Sequence, residues 1–165
     1  MPTSACDTEI DAVGLDRKVA FLECPPAYPE PVARVEAVET HLRAMDNRHF
    51  SLLAHPTGRV LETRGPYDVD MLRLIRHARD RGCALELNAH PERLDLLDTW
   101  CMTAREEGVP VAINSDAHSV HEFANLRFGV GQARRGWLEA KDVLNTRPLA
   151  ALLAFLQRAS AREVR

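Results

Sequence analysis

Apolar residues at helical spacing alternate with short apolar runs from residue 30 to the end of the chain. Three segments have the spacing of amphipathic helices: "VARVEAVETHLRAM", "PYDVDMLRLIRHARDRG" and "RLDLLDTWCMTAREEG". Gly82 and Gly108 close the second and third of them, as glycine often does at a helix end. The runs between them are short enough for buried strands: "HFSLLAHP", "CALELNA" and "VPVAINS". Two more helices are predicted near residues 120–134 and 147–159.

This order of elements predicts an α/β fold. Strands that are separated by helices and buried on both faces form a parallel sheet or the wall of a barrel, with right-handed crossovers. Residues 1–29 do not follow the pattern, since "PPAYPEP" has four prolines in seven residues and cannot extend a helix or a strand. We therefore expect an irregular segment over residues 1–29 and one α/β unit over residues 30–165.

Composition and charge argue against several classes of protein. A net charge of −3 over 165 residues is not typical of a general nucleic-acid-binding surface, which is normally basic. No run approaches the roughly 18 apolar residues that span a bilayer, and the N-terminus has no signal-peptide pattern, so we expect a cytoplasmic protein without membrane contact. Cys83 and Cys101 lie in apolar patterns, which predicts buried, unreactive thiols rather than disulfides.

Polar residues cluster where each predicted strand ends. Parallel strands bring their carboxyl ends to one edge of a sheet, where the active sites of α/β proteins form. The first strand end has His55, Thr57, Gly58 and Arg59, the second has Glu86, Asn88, His90 and Arg93, and the third has Asn114, Asp116 and His118. This convergence predicts a metal or phosphate site at the edge.

Each of these residues has both a functional and a purely structural interpretation. Asp116 and His118 suit zinc, manganese or iron, and both would face one cavity if the third strand extends through them. A D-x-H motif alone is otherwise typical of a helix N-cap beside a surface histidine. Arg59 and Arg93 offer planar donors for phosphate oxygens, or form ion pairs at the surface.

Six segments, in this order and spacing, closely resemble a known family: "LLAHPTGR", "YDVD", "LELNAHPERLDLLD", "INSDAHSV", "LRFGVGQARRGWL" and "DVLNTRPL". They are similar to the C-terminal half of the PHP (polymerase and histidinol phosphatase) domain that ends bacterial family X DNA polymerases. The resemblance runs from about residue 32 to about residue 158. The tail "ARRGWL…DVLNTRPL" is the part that distinguishes the polymerase branch.

The resemblance implies a fold and an activity. The fold is a distorted (β/α)7 barrel with a trinuclear metal centre at the carboxyl mouth of its strands, and this chain would form an incomplete part of it. The family hydrolyses phosphoric esters, and its polymerase-linked branch acts as a 3'-5' exonuclease and DNA-end phosphoesterase with manganese or zinc. Its motifs place metal ligands at His55, Asp116 and His118, of which we expect Asp116 and His118 to be catalytic.

The chain departs from the family pattern before residue 32. There the family has an H-x-H pair, further histidines and a bridging glutamate, whereas this chain offers Glu23 and Cys24 as nearby donors. His41 is its first histidine, and a position in the middle of a helix predicts a solvated side chain. We therefore expect an incomplete metal centre and little activity from this chain alone.

Three functions compete. The first is a metal-dependent phosphoesterase in reduced form, the second a non-catalytic remnant or interaction module, and the third a small-molecule phosphatase of the histidinol-phosphate type. For the second, a truncated gene, a mis-called start codon or one half of a split protein would each explain the missing motifs. An open sheet edge would favour a partner chain that supplies the other half-barrel, or self-association.

Trp137 and Leu138 stand between charged neighbours in "RRGWLEAKDVL". A large aromatic residue beside an aliphatic one predicts that both anchor a terminal helix by packing. We therefore assign both to the core rather than to the candidate site.

Overall fold

The computed structural model describes residues 31–160 and arranges them as three strands and five α-helices. The strands form one parallel sheet in the order β1-β2-β3, with β1 at Leu52–Leu53, β2 at Ala84–Asn88 and β3 at Val111–Asn114. The helices are α1 (Pro31–Asp46), α2 (Met71–Arg81), α3 (Asp98–Glu106), α4 (Leu126–Arg135) and α5 (Leu149–Ser160). Short 3-10 helices cover Val120–Asn125, Ala140–Asp142 and Leu144–Thr146.

The alternation of helices with parallel strands agrees with the predicted α/β class. The sheet is small and open, so the barrel itself stays a prediction. The segment expected to be irregular, residues 1–29 with Glu23 and Cys24, lies outside the described residues. Within residues 31–160, no helix is long and apolar enough to cross a membrane.

Local sequence signals determine both ends of α2. The Asp70 side chain accepts a hydrogen bond from the backbone N–H of Arg73 at 3.0 Å, which satisfies a donor that has no partner inside the helix. At the other end Gly82 adopts a left-handed backbone with φ 56°, and its N–H bonds to the carbonyls of Ala78 and Arg79. The predicted stop at Gly82 is confirmed, and the chain passes from it into β2.

Alternate residues of the strands lie on opposite faces of the sheet. Leu85 and Leu87 of β2 pack in the main core with Val111 and Ile113 of β3, against α1 to α4. On the other face the small residues pack in a second cluster with α5 and the turn before it; its buried members are Leu52, Ala54, Ala84, Ala112, Leu144 and Phe155. The polar residues of this second face come at the carboxyl ends of the strands: Glu86, Asn88 and Asn114.

Helix α4 lies close to the sheet at Gly129. A Cβ on Gly129 would lie 2.6 Å from Cγ2 of Ile113 and 2.7 Å from Cβ of Ala89. Two residues later, a Cβ on Gly131 would have no neighbouring atom within 4 Å. The absence of a side chain at position 129 therefore allows α4 to approach the residue that follows β2.

Two side chains lie where the sequence analysis did not predict them. His41 is helical as expected, but it is only 1% exposed. It comes three residues after Val38 and four before Met45, so it shares their buried face of α1. Trp137 is 70% exposed, because the chain reverses there in a left-handed conformation (φ 58°) and Leu138 takes the place against the core. The predictions for His41 and Trp137 are wrong, and that for Leu138 is confirmed.

The buried cysteines agree with the sequence analysis. Cys83 and Cys101 are fully buried and carry free thiols. Burial, together with the carboxylates of Asp98 and Asp95, raises the pKa of the Cys101 thiol to about 12. The reactive thiolate is therefore scarce at neutral pH.

Alanine at the two glycines of α4 should have opposite effects on stability. Gly129→Ala should lower the free energy of unfolding by about 1–3 kcal/mol, because the new methyl group overpacks Ile113 and Ala89. Gly131→Ala should raise it by roughly 0.5–1 kcal/mol, because alanine is the better helix former and the position is open. Urea denaturation measures both changes, and a stabilising effect at position 129 would show that α4 does not lie this close to the sheet.

Candidate functional site

His55 follows β1 and is held by the central strand. Its backbone N–H donates to Oε2 of Glu86 at 2.9 Å, and its Nδ1 lies 3.1 Å from the same oxygen. Nδ2 of Asn88 also lies 3.1 Å from Nδ1. His55 has a left-handed backbone with φ 47°, which costs a non-glycine residue about 1 kcal/mol or more. The contacts with Glu86 offset that cost.

Glu86 joins the ends of all three strands. It is 5% exposed, and its second oxygen, Oε1, accepts a hydrogen bond from Nδ2 of Asn114 at 2.8 Å. Burial alone would raise the pKa of the Glu86 carboxyl, but the hydrogen bonds and positive charge of His55, with Asn114, hold that pKa below its ordinary value. Burial alone would likewise lower the pKa of His55, and Glu86 raises it above its ordinary value.

Asp116 and Arg93 lie beside this pair. β3 ends at Asn114, and Asp116 follows it in a left-handed conformation with φ 53°. Oδ2 of Asp116 lies 3.5 Å from Nε of Arg93, which is in the loop after β2. Both charges act on the imidazole of His55: Arg93 lowers the pKa of His55, and Asp116 raises it. The edge of the sheet therefore brings His55, Glu86, Arg93 and Asp116 together.

His118 lies at the rim of this group. Its side chain is 78% exposed, and its Nδ1 is 2.9 Å from the backbone oxygen of Asp116. Its backbone N–H donates to Oε2 of Glu122 at 2.6 Å. Because β3 stops at Asn114, strand alternation does not turn Asp116 and His118 to the same side. Across residues 31–160, no three histidine, cysteine, aspartate or glutamate side chains surround a common metal position, so the predicted ligand set His55, Asp116 and His118 stays a prediction.

Arg59 and Asp95 brace the loops around the site. Nε of Arg59 donates to the backbone oxygen of Arg93 at 2.7 Å, and its Nη2 donates to that of Leu94. Asp95 is fully buried, and its Oδ2 accepts the backbone N–H of Thr57 at 3.0 Å. These contacts tie the loop after β1 to the loop after β2. Phosphate binding by Arg59 and Arg93 stays a prediction.

From the sequence, Glu86 is recognisable only as a polar residue at a strand end, and Asp95 is not recognisable as a site residue. The signal for Glu86 is its place between two leucines of a buried strand, since a charge there must find a buried partner. Asp95 had no such signal. The segment "RLDLLD" has the spacing of a first helical turn, whereas α3 begins only at Asp98.

Comparison with known proteins identifies a partial relative. The chain is 40% identical over 159 residues to the DNA polymerase/3'-5' exonuclease PolX of Bacillus subtilis (strain 168). The match covers 96% of this chain and 27% of the relative, so the chain spans about a quarter of the relative's length. This chain is a partial homologue of that polymerase/exonuclease. No family model matches it.

The similarity to PolX extends over the candidate site. It covers 159 of the 165 residues, and therefore all three strands and the loops that follow them. The resemblance to the polymerase branch is thereby confirmed at the level of a partial relative. The PHP domain as such stays a prediction.

Asparagine at position 95 should be tolerated at neutral pH. Burial raises the pKa of Asp95, although Thr57 opposes the shift, so the folded state favours the uncharged acid. The contribution of Asp95 to stability is therefore present below the ordinary aspartate pKa of about 3.9 and is lost as the pH rises through the raised value. Asp95→Asn does not undergo this loss, so in urea denaturation its stability relative to the parent should rise as the pH increases above about 4.

A second variant serves as the control for this prediction. Asp95→Ala leaves the backbone N–H of Thr57 without its acceptor and should cost about 1–3 kcal/mol. If Asp95→Asn instead loses stability relative to the parent as the pH rises, the pKa of Asp95 is lowered in the folded state, and its burial does not dominate.

Proposed function

We propose that the chain forms part of a phosphoric ester hydrolase site of the 3'-5' exonuclease type, with a manganese or zinc ion at the carboxyl edge of the sheet and DNA ends as substrate. One observation carries the proposal: His55 and His118 each have Nδ1 beside an oxygen acceptor, Oε2 of Glu86 and the backbone oxygen of Asp116. Histidines that bind metals through Nε2 usually donate the proton on Nδ1 to such an oxygen. The similarity to a DNA polymerase/3'-5' exonuclease supports the substrate class.

The donors at the edge suit these ions. Two imidazole nitrogens and the carboxylate of Asp116 are ligands that zinc and manganese accept. Until a cation binds, Arg93 balances the charge of Asp116. A bound ion would lower the pKa of a water molecule towards neutrality and hold the phosphate. The contribution of this chain is to fix His55 and to bring Asp116 near it.

In this proposal the two arginines have different tasks. Arg93 lies partly exposed at the edge beside Asp116, and its planar guanidinium can bind two phosphate oxygens. Arg59 acts behind it, because its Nε and Nη2 bond to the backbone of Arg93 and Leu94. Arg59 therefore shapes the loop that presents Arg93.

We further propose that the metal centre is incomplete within this chain. The family pattern places more ligands before the H-P motif than this chain has there, and metal affinity depends on a full set of placed donors. A second chain at the open edge of the sheet would be one source of the others. Hydrolysis by the chain alone should therefore be slow.

Phosphate release from a 3'-phosphorylated oligonucleotide tests the proposal. The full chain should release phosphate slowly, and only when manganese or zinc is added. His55→Ala should reduce the rate at least roughly 10-fold, because it removes the best-anchored ligand. His49→Ala, which removes an exposed histidine just before β1, should leave the rate unchanged. Equal rates in the two variants would contradict the role of His55.

The same assay separates the competing functions. Faster release from histidinol phosphate than from the oligonucleotide would favour the small-molecule phosphatase. No release from either substrate, in a chain that still unfolds cooperatively, would favour the non-catalytic module and overturn the hydrolase proposal.

A further inference from the structure

We propose that Glu86 is a positioning residue that sets the tautomer of His55 and so leaves Nε2 of the ring free to bind a metal ion; this rests on the metal-binding role proposed above for His55. Glu86 lies on the central strand and is almost fully buried, whereas His55 is only partly buried at the end of β1. Glu86 would therefore act through the imidazole rather than on the ligand itself.

Both oxygens of the Glu86 carboxylate already have partners. Oε2 receives the backbone N–H of His55 at 2.9 Å and lies 3.1 Å from its Nδ1. Oε1 receives Nδ2 of Asn114 at 2.8 Å. A carboxylate that is buried and bonded in this way is suited to orient a neighbour rather than to bind an incoming ion.

Asn88 competes with Glu86 for the same ring nitrogen. Oδ1 of Asn88 accepts the backbone N–H of His90 at 2.9 Å, which fixes the amide so that its Nδ2 faces Nδ1 of His55 at 3.1 Å. This N–H donor favours an unprotonated Nδ1, whereas Glu86 favours a protonated one. Oε2 of Glu86 lies at an ion-pair distance of 3.1 Å from Nδ1, and interactions with an ionised carboxylate are roughly twice as strong as those between neutral groups, so we expect Glu86 to prevail and the lone pair of the neutral ring to lie on Nε2.

Removing the charge at position 86 should change which ring nitrogen of His55 carries the proton. In Glu86→Gln two neutral amides would surround Nδ1, and the amide of Asn88 already points a donor at it. The ring proton would then move to Nε2. A protonated Nε2 has no lone pair with which to bind a metal ion.

The tautomer can be measured without a metal ion. Nitrogen-15 correlation spectra of the full chain at about pH 9, where an ordinary histidine ring is neutral, should show His55 protonated on Nδ1. In Glu86→Gln the proton should move to Nε2. In Glu106→Gln, which changes an exposed glutamate of α3, it should stay on Nδ1. Protonation on Nε2 in the parent chain would overturn the proposal, whether or not the variants fold.

Manganese affinity measures the consequence of the tautomer. Glu86→Gln should weaken manganese binding by the full chain roughly 10- to 100-fold, the usual effect of removing a group behind a metal-binding histidine. Glu106→Gln should leave the affinity unchanged. Adding Asn88→Asp to Glu86→Gln supplies a carboxylate on the other side of Nδ1 and should restore the tautomer and most of the affinity. A purely structural role of Glu86 predicts no such rescue.

The outcomes separate this proposal from the proposed function. If the parent binds manganese and Glu86→Gln binds it equally well, the positioning role is overturned and the metal site stands. If the His55 tautomer depends on Glu86 but the parent binds no manganese, the control of the ring by Glu86 is supported and the metal-dependent function is overturned.

Discussion

The buried carboxylate of Glu86 is the constraint around which the candidate site is built. An ionised carboxylate in a protein interior costs several kcal/mol unless it is paired and hydrogen-bonded, and Glu86 lies on the central strand of the sheet. Its partners come from both sides, His55 after β1 and Asn114 at the end of β3. Satisfying one charge therefore fixes three strand ends relative to each other. It also explains the left-handed backbone of His55, which brings the N–H and the ring to the same oxygen.

A second set of contacts holds one side of the site more firmly than the other. Arg59 and Asp95 tie the loops after β1 and β2 to each other, and Gly129 lets α4 close against the end of β2. The loop after β3 is held by groups nearer to solvent, among them Glu122 of the following 3-10 helix. The site thus has a closely braced side on β1 and β2 and a more exposed side after β3.

Local signals were enough to predict the elements, whereas contacts between distant residues decide the site. Gly82 ends α2 through its own backbone freedom, so its role can be predicted from the sequence. The partners of Glu86 are 31 and 28 residues away, and no local pattern names them. The spacing of His41 places it on the buried face of α1, whereas its residue type predicts a solvated side chain, and in the structure the position decides. For Trp137, the left-handed turn after α4 decides the exposure, and a single residue type does not encode that turn.

The difference between the two sides has an energetic consequence for the metal binding proposed above. The ring of His55 is held by a buried charge before any ligand arrives, so little further side-chain freedom is lost when a ligand binds it. His118 is exposed and is held by the backbone oxygen of Asp116 and by the surface carboxylate of Glu122, so ordering it would cost on the order of 1 kcal/mol more. For a cation to bind as proposed, Asp116 would in addition have to exchange Arg93 for it. In the proposed site His55 would therefore contribute most to affinity, because it is preorganised, and the contacts that order the loop after β3 would determine how much His118 and Asp116 add.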